Sequence, residues 1–196
     1  MNSSKQAAPG RVRIVGGDWR GRRIAVPARS GVRPTPDRVR ETLFNWLGQR
    51  LDGAACLDLF AGSGALGFEA ASRGAARVVM VEADRAIAAA LEKSRAALGA
   101  AAVDVVPQDA LAFLARGGER FDVVFLDPPF RQNALPALLA ALPPRLRRGA
   151  RVYAEGDRPV RAAAPWRELQ RARAGQVSYQ LLEWSDHDPS GVPGNL

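Results

Sequence analysis

Four short stretches of this chain hold residues able to do chemistry, and each stands where an apolar run ends. "FLDPPF" (125–130) stops its run on Asp127 and follows it with Pro128, Pro129 and Phe130. Two successive prolines bring no backbone N–H and hold the chain extended. The quartet therefore offers a carboxylate, a carbonyl with no competing donor, and an aromatic face. Those groups suit an amine held by its hydrogens while a ring stacks on its planar body. "DLFAGSGALG" (58–67) sets Gly62, Gly64 and Gly67 at the spacing G-x-G-x-x-G, behind Asp58. Glycines at that spacing permit a tight turn and let backbone N–H groups approach a ligand. Glu82 closes "VVMVE", 18 residues past Gly64, where an acid accepts hydrogen bonds from ribose hydroxyls. Asp109, in "PQDA", either caps the helix that follows or meets an adenine amine.

Each stretch alone has a plainer explanation. The glycines suit any tight strand–helix turn, Glu82 suits a solvated loop, and Asp109 suits a cap. What binds them together is the alternation of elements that must position them. Apolar strands are expected at 55–60, 77–83, 103–107, 121–127 and 150–156, with helices at 64–74, 84–98, 109–116 and about 133–142 between them. Short apolar strands alternating with helices make a mostly parallel twisted sheet covered on both faces, an α/β fold. Ligands bind such sheets in the crevice at the carboxyl ends of the strands, and all four stretches fall there. "WRELQRARAG" and "QVSYQLLEW" read as an antiparallel C-terminal hairpin around Gly175. Upstream, "RVRIVGGDWRGRRIAVP" (11–27) reads as a small basic β-hairpin. A helix should follow over "DRVRETLFNWLGQRL", with Thr35 as N-cap, Pro36 at its first position, and Val39, Leu43, Trp46 and Leu47 as its buried stripe.

The chain has 196 residues and a formal net charge of +8, but the excess is segregated. Residues 1–40 hold ten Lys/Arg against Asp18 and Asp37, whereas residues 41–196 hold 18 basic and 18 acidic residues. A neutral body with a basic arm points to a polyanion such as nucleic acid. A drift of the whole composition toward Arg explains the choice of Arg over Lys, not its placement. One cysteine, Cys56, excludes an internal disulfide, and one histidine, His187, leaves no metal site of the usual His/Cys kind. No apolar stretch has the roughly 18–20 residues of a membrane span. A cytoplasmic monomer is the expectation. The expected layout is tails at 1–10 and 185–196, the basic hairpin extension at 11–35, and the main domain at 36–184.

Taken together, "DLFAGSGALGFEA", "EADR" and "DPPF" resemble a class I S-adenosylmethionine-dependent methyltransferase acting on an exocyclic amine of a nucleobase. With "RIVGGDWRGRRIAVP", "GVRPTPDRVRETLFNWL" and "AGQVSYQLLEW" added, the chain resembles, over nearly its whole length, the RsmD-type bacterial small-subunit ribosomal RNA (guanine-N2)-methyltransferases. The resemblance implies a Rossmann-like methyltransferase fold, S-adenosyl-L-methionine as cofactor, and a guanine of 16S ribosomal RNA in the small subunit as target. It implies that Asp58, Gly62, Gly64 and the backbone around Phe60–Ser63 hold the methionine part of the cofactor. Glu82 would hold the ribose, and Asp109 with Ala110 would face the adenine. Asp127, Pro128, Pro129 and Phe130 would receive the base. Arg11, Arg13, Arg20, Arg22, Arg23 and Arg33 would contact RNA. Arg33, Thr35, Asp37 and Arg40 match the family's segment, with Thr35 and Arg40 expected at the cofactor entrance. Three other readings compete: an amino-methyltransferase of DNA, a nicotinamide-dependent oxidoreductase, and a non-catalytic RNA-binding protein. Asp58 inside the first strand and the want of an acid–base residue for hydride transfer disfavour the oxidoreductase.

Overall fold

The computed structural model describes residues 10–26, 34–129 and 134–185. Arg33, Phe130 and nearly all of the two expected tails lie outside the described residues. A two-stranded hairpin comes first, β1 (Arg11–Arg13) against β2 (Arg23–Ala25), and α1 (Asp37–Trp46) follows. The alternating core then runs β3 (Ala55–Asp58), α2 (Ala65–Ser72), β4 (Arg77–Val81), α3 (Arg85–Leu98), β5 (Val103–Val106), α4 (Ala110–Ala115) and β6 (Phe121–Leu126). After α5 (Leu135–Ala141) and a 3₁₀ turn, β7 (Leu146–Gly156), β8 (Trp166–Ala174) and β9 (Val177–Trp184) close the fold.

These strands form one seven-stranded sheet in the order β5-β4-β3-β6-β7-β9-β8. The first five are parallel, and β9 runs antiparallel to both β7 and β8. The chain reverses its direction of winding between β3 and β6. A crevice must open at their carboxyl ends, and Asp58 and Asp127 stand there. β3 is central, and all four of its residues are buried. Gly67 lets α2 lie close on the sheet: a Cβ there would come within 2.7 Å of Met80 Cγ. Asp84 caps α3 by accepting from the amides of Ala86 and Ile87 at 2.8 and 3.2 Å.

The structure departs from the sequence reading in several details: α1 ends at Trp46 and β3 at Asp58, both short of the expected bounds. α1 is capped by Pro36, with no side-chain cap, and Thr35 is buried behind it. Its inward stripe is Val39, Leu43, Phe44 and Leu47, while Trp46 is half-buried and meets the Tyr179 ring at 5.4 Å. β7 begins at Leu146, four residues before the expected start, because "LRRG" pairs as an extended lead-in with a register shift against β6. The N-terminal hairpin is also part of the core. Val12, Ile14, Ile24 and Val26 are buried in one cluster with Leu43, Phe44 and Phe68.

Candidate active site

β3 delivers Asp58 to the crevice fully buried, at 1% exposure. Its Oδ2 accepts from the Gly67 amide at 3.0 Å, which ties the strand end to the first turn of α2. Its Oδ1 is buried with no partner among the described residues. Burial pushes this carboxyl up to about 7 and Glu82 adds to the shift, against opposing hydrogen bonds from the Gly67 and Phe60 backbone. The turn itself is sharp. Gly62 and Gly64 both have positive φ, 48° and 78°, and Gly64 has Phe68 and Leu91 where a Cβ would go. No residue with a side chain fits Gly64 on either count.

Glu82 stands one residue past β4. Its Oε2 accepts from Gly62 N at 3.0 Å and its Oε1 from Asp84 N at 2.8 Å. One carboxylate thus fixes the glycine turn to the neighbouring strand end and keeps the second lone pair of each oxygen for a ligand. Ser63 is buried, and its Oγ accepts from Ala65 N at 3.3 Å. Phe60 is half-buried. Asp109 caps α4 by accepting from Ala112 N at 2.9 Å, with Ala110 buried behind it. Of the two uses open to Asp109 in the sequence, capping is the one its geometry displays.

β6 delivers Asp127, whose carboxylate accepts no hydrogen bond from a described residue. Burial, then the carboxyl of Glu155, then that of Asp58 hold it well above the usual carboxylate range. Pro128 is buried beside it and Pro129 is exposed. Glu155, near the end of β7, is a site residue that the sequence reading misses. It belongs to the site because β7 pairs in parallel with β6. Its signal is the one that marks Asp127, an acid closing an apolar strand, here in "RVYAEG". Cys56 is buried in the core, and desolvation lifts its thiol to about 12, so it is inert packing.

Thr35 and Arg40 are buried, at 6% and 0% exposure. Arg40 reaches Glu69 at 2.9 Å, Asp37 at 2.6 Å, and the carbonyls of Thr35 and Arg13 at 3.1 and 2.8 Å. Every nitrogen of its guanidinium is occupied by the fold. The expected RNA contacts divide as well. Arg13 pairs with Asp37 at 3.0 Å, and Arg22 donates to the carbonyls of Ala97 and Leu98 at the end of α3. Arg11, Arg20 and Arg23 are exposed, with no side-chain partner among the described residues. Arg11, Arg13 and Arg23 line a groove of about 580 Å³ with Pro34 and Asp37.

The site is thus an acid-rich crevice: a sharp glycine turn, one buried oxygen in want of a donor, and a second, half-buried carboxylate at the next strand. Those acceptors fit a ligand carrying an ammonium and a sulfonium, since Asp58 Oδ1 needs the N–H that an ammonium brings. They do not fit a pyrophosphate, which these acids would repel. Sheet order, turn and acids together define the class I methyltransferase fold. An RNA methyltransferase of Salinibacter ruber, solved with S-adenosyl-L-homocysteine, shares that fold at a TM-score of 0.59 and 20% identity, over 81% of this chain and 97% of that one.

Within that class the chain belongs to the family described as Conserved hypothetical protein 95, whose model matches residues 12–183. It is 44% identical to the ribosomal RNA small subunit methyltransferase D of Escherichia coli K12, over 93% of this chain and 95% of the relative. A solved putative methyltransferase of Escherichia coli superposes with a TM-score of 0.83 at 45% identity, over 91% of this chain and all of that one.

Proposed function

We propose that this chain transfers the methyl group of S-adenosylmethionine to the exocyclic N2 amine of a guanine in 16S ribosomal RNA, within an assembled or partly assembled small subunit. The observation that carries the reading is Asp127: a desolvated carboxylate with no described donor, followed by two prolines, one strand away from the glycine turn. The relatives' names supply the ribosomal substrate.

The cofactor supplies an electrophilic methyl group on a sulfonium sulfur. Everything else falls to the chain. Asp58 and the backbone of the Phe60–Gly64 turn would hold the amino-acid end, and Glu82 the ribose. Asp109 and Ala110 would face the adenine. An amine conjugated into a purine ring is a poor nucleophile, because its lone pair is shared with the ring. Asp127 and the carbonyl of Pro128 accept its two N–H bonds and turn the lone pair outward. The prolines fix that carbonyl before the base arrives, so no reorganisation is needed at the moment of reaction. Phe130, outside the described residues, would supply the stacking face by its residue type, worth about 1–3 kcal/mol.

Asp127→Ala should lower turnover by at least about a hundredfold. Asp127→Asn, whose amide oxygen still accepts, should keep measurable activity with unchanged cofactor binding. An Asn variant as inert as the Ala variant would rule out an acceptor role. The reaction itself is tested by giving labelled S-adenosylmethionine with naked 16S RNA, small subunits and duplex DNA in parallel, then identifying the methylated nucleoside by mass spectrometry. Label confined to adenine of the DNA would replace this reading with a DNA amino-methyltransferase.

A further inference from the structure

"DPPF" by itself does not say which base it receives, since adenine, cytosine and guanine all carry an exocyclic amine. The strand beside it does. β6 and β7 are parallel, with Phe125 opposite Tyr153 and Leu126 opposite Ala154. The next residues along are Asp127 and Glu155. Side chains alternate along a strand, so Asp127 shares a face with Phe125, and Glu155 shares that face with Tyr153. Parallel strands lie about 4.8 Å apart, which sets the two carboxylates side by side.

Glu155 is 7% exposed, and the Tyr153 hydroxyl donates to its Oε2 at 2.6 Å. Tyr153 is itself fully buried against Tyr179, with ring centroids 6.2 Å apart, so it holds Glu155 in one position. The other oxygen, Oε1, accepts from no described residue. Neither Asp127 nor Glu155 is paired with a Lys or Arg among the described residues. Burial shifts both carboxyls upward; Glu155 adds to the shift of Asp127, while the hydrogen bond from Tyr153 opposes that of Glu155. An arrangement this costly, maintained by a buried tyrosine, is what a ligand with two adjacent donors would require.

We propose that Glu155 is the residue that selects the base: its Oε1 accepts the ring N1–H of guanine while Asp127 accepts from the neighbouring N2 amine. The inference rests on the methyl-transfer reading above and names the base from this chain's own geometry. The amine of guanine is flanked by a ring N–H donor. The amines of adenine and cytosine are flanked by a ring nitrogen lone pair, which a second carboxylate would repel. Enzymes that take a base out of its stack read it along this edge.

The test uses a base that keeps the amine and loses the flanking donor. Small subunits are reconstituted on 16S RNA carrying either guanine or 2,6-diaminopurine at the methylated position, and kcat/KM is compared. The wild-type protein should favour guanine by about ten- to a hundredfold, because the diaminopurine leaves a buried acceptor unpaired. Glu155→Gln can present an amide N–H to the ring nitrogen and should close or reverse that gap. Tyr153→Phe frees Glu155 without removing it and should narrow the gap part-way, which also serves if the Gln variant does not fold. Equal use of both bases by the wild type, or a gap left intact in both variants, overturns the inference. A wild-type protein inert on guanine-bearing subunits overturns the methyl-transfer reading first, and this one with it.

Discussion

Asp58 is the residue whose chemistry is most exposed to conditions. With its carboxyl pushed up to about 7 by burial, it is mostly neutral below that pH and mostly ionised above it. An ammonium is held by the ionised form. Cofactor affinity should therefore rise about tenfold from about pH 6 to about pH 8, and Asp58→Asn should flatten the slope. Titration calorimetry across that range checks it. The sign for stability is the reverse. The folded chain holds this proton more tightly than the unfolded chain, whose carboxyl titrates near 4. Without cofactor, the contribution of Asp58 makes the fold less stable as pH rises from about 4 to about 7, and changes no further above that. Asp58 is legible in the sequence because it interrupts an apolar run just before the glycine turn, and Glu82 and Asp127 because each closes one. Glu155 follows the same rule, but "RVYAEG" has no proline pair after the acid to draw attention. Only the β6–β7 register makes it a neighbour of Asp127.

At the scale of elements, the hub is Glu69, fully buried in α2. Its Oε2 accepts from Arg40 and from the Val15 amide, each at 2.9 Å, and its Oε1 accepts from Arg73. Arg73 also lies over the Phe44 ring at 4.6 Å. One carboxylate thus joins the hairpin, α1 and α2, and α2 begins at the cofactor turn. Glu69→Ala would strand two guanidinium groups inside the protein and should cost about 3–5 kcal/mol in urea unfolding. Asp104→Ala removes one of the two exposed partners of Arg77 and should cost under about 1 kcal/mol. Comparable destabilisation in the two variants would mean the buried network is no more than surface decoration. The strand–helix alternation is readable because its apolar periods are short and regular. The network is not readable, since Arg40, Glu69 and Arg73 sit where a helix pattern looks merely polar. Their burial follows from the hairpin folding back over them, a tertiary fact with no local signature.

At the scale of the whole molecule, the charge segregation seen in the sequence becomes a geometric one. Strand alternation in the hairpin turns Val12 and Ile24 into the core and Arg11, Arg13 and Arg23 outward. The hairpin is at once a piece of the core and the carrier of the positive surface. Removing it would strip four buried apolar residues, so a deletion confounds RNA binding with folding. Charge removal separates them. Arg11, Arg20 and Arg23 are the choice because no described hydrogen bond depends on their side chains, whereas Arg13 and Arg22 also hold the fold. The triple substitution to Gln should leave melting and cofactor affinity unchanged and weaken binding to small subunits. Each phosphate that is no longer neutralised should reduce the slope of log affinity against log salt by about 0.7–0.9, hence by about 2–3 for all three. An unchanged slope would mean that these arginines do not meet phosphates, and the polyanion would have to be held elsewhere on the molecule.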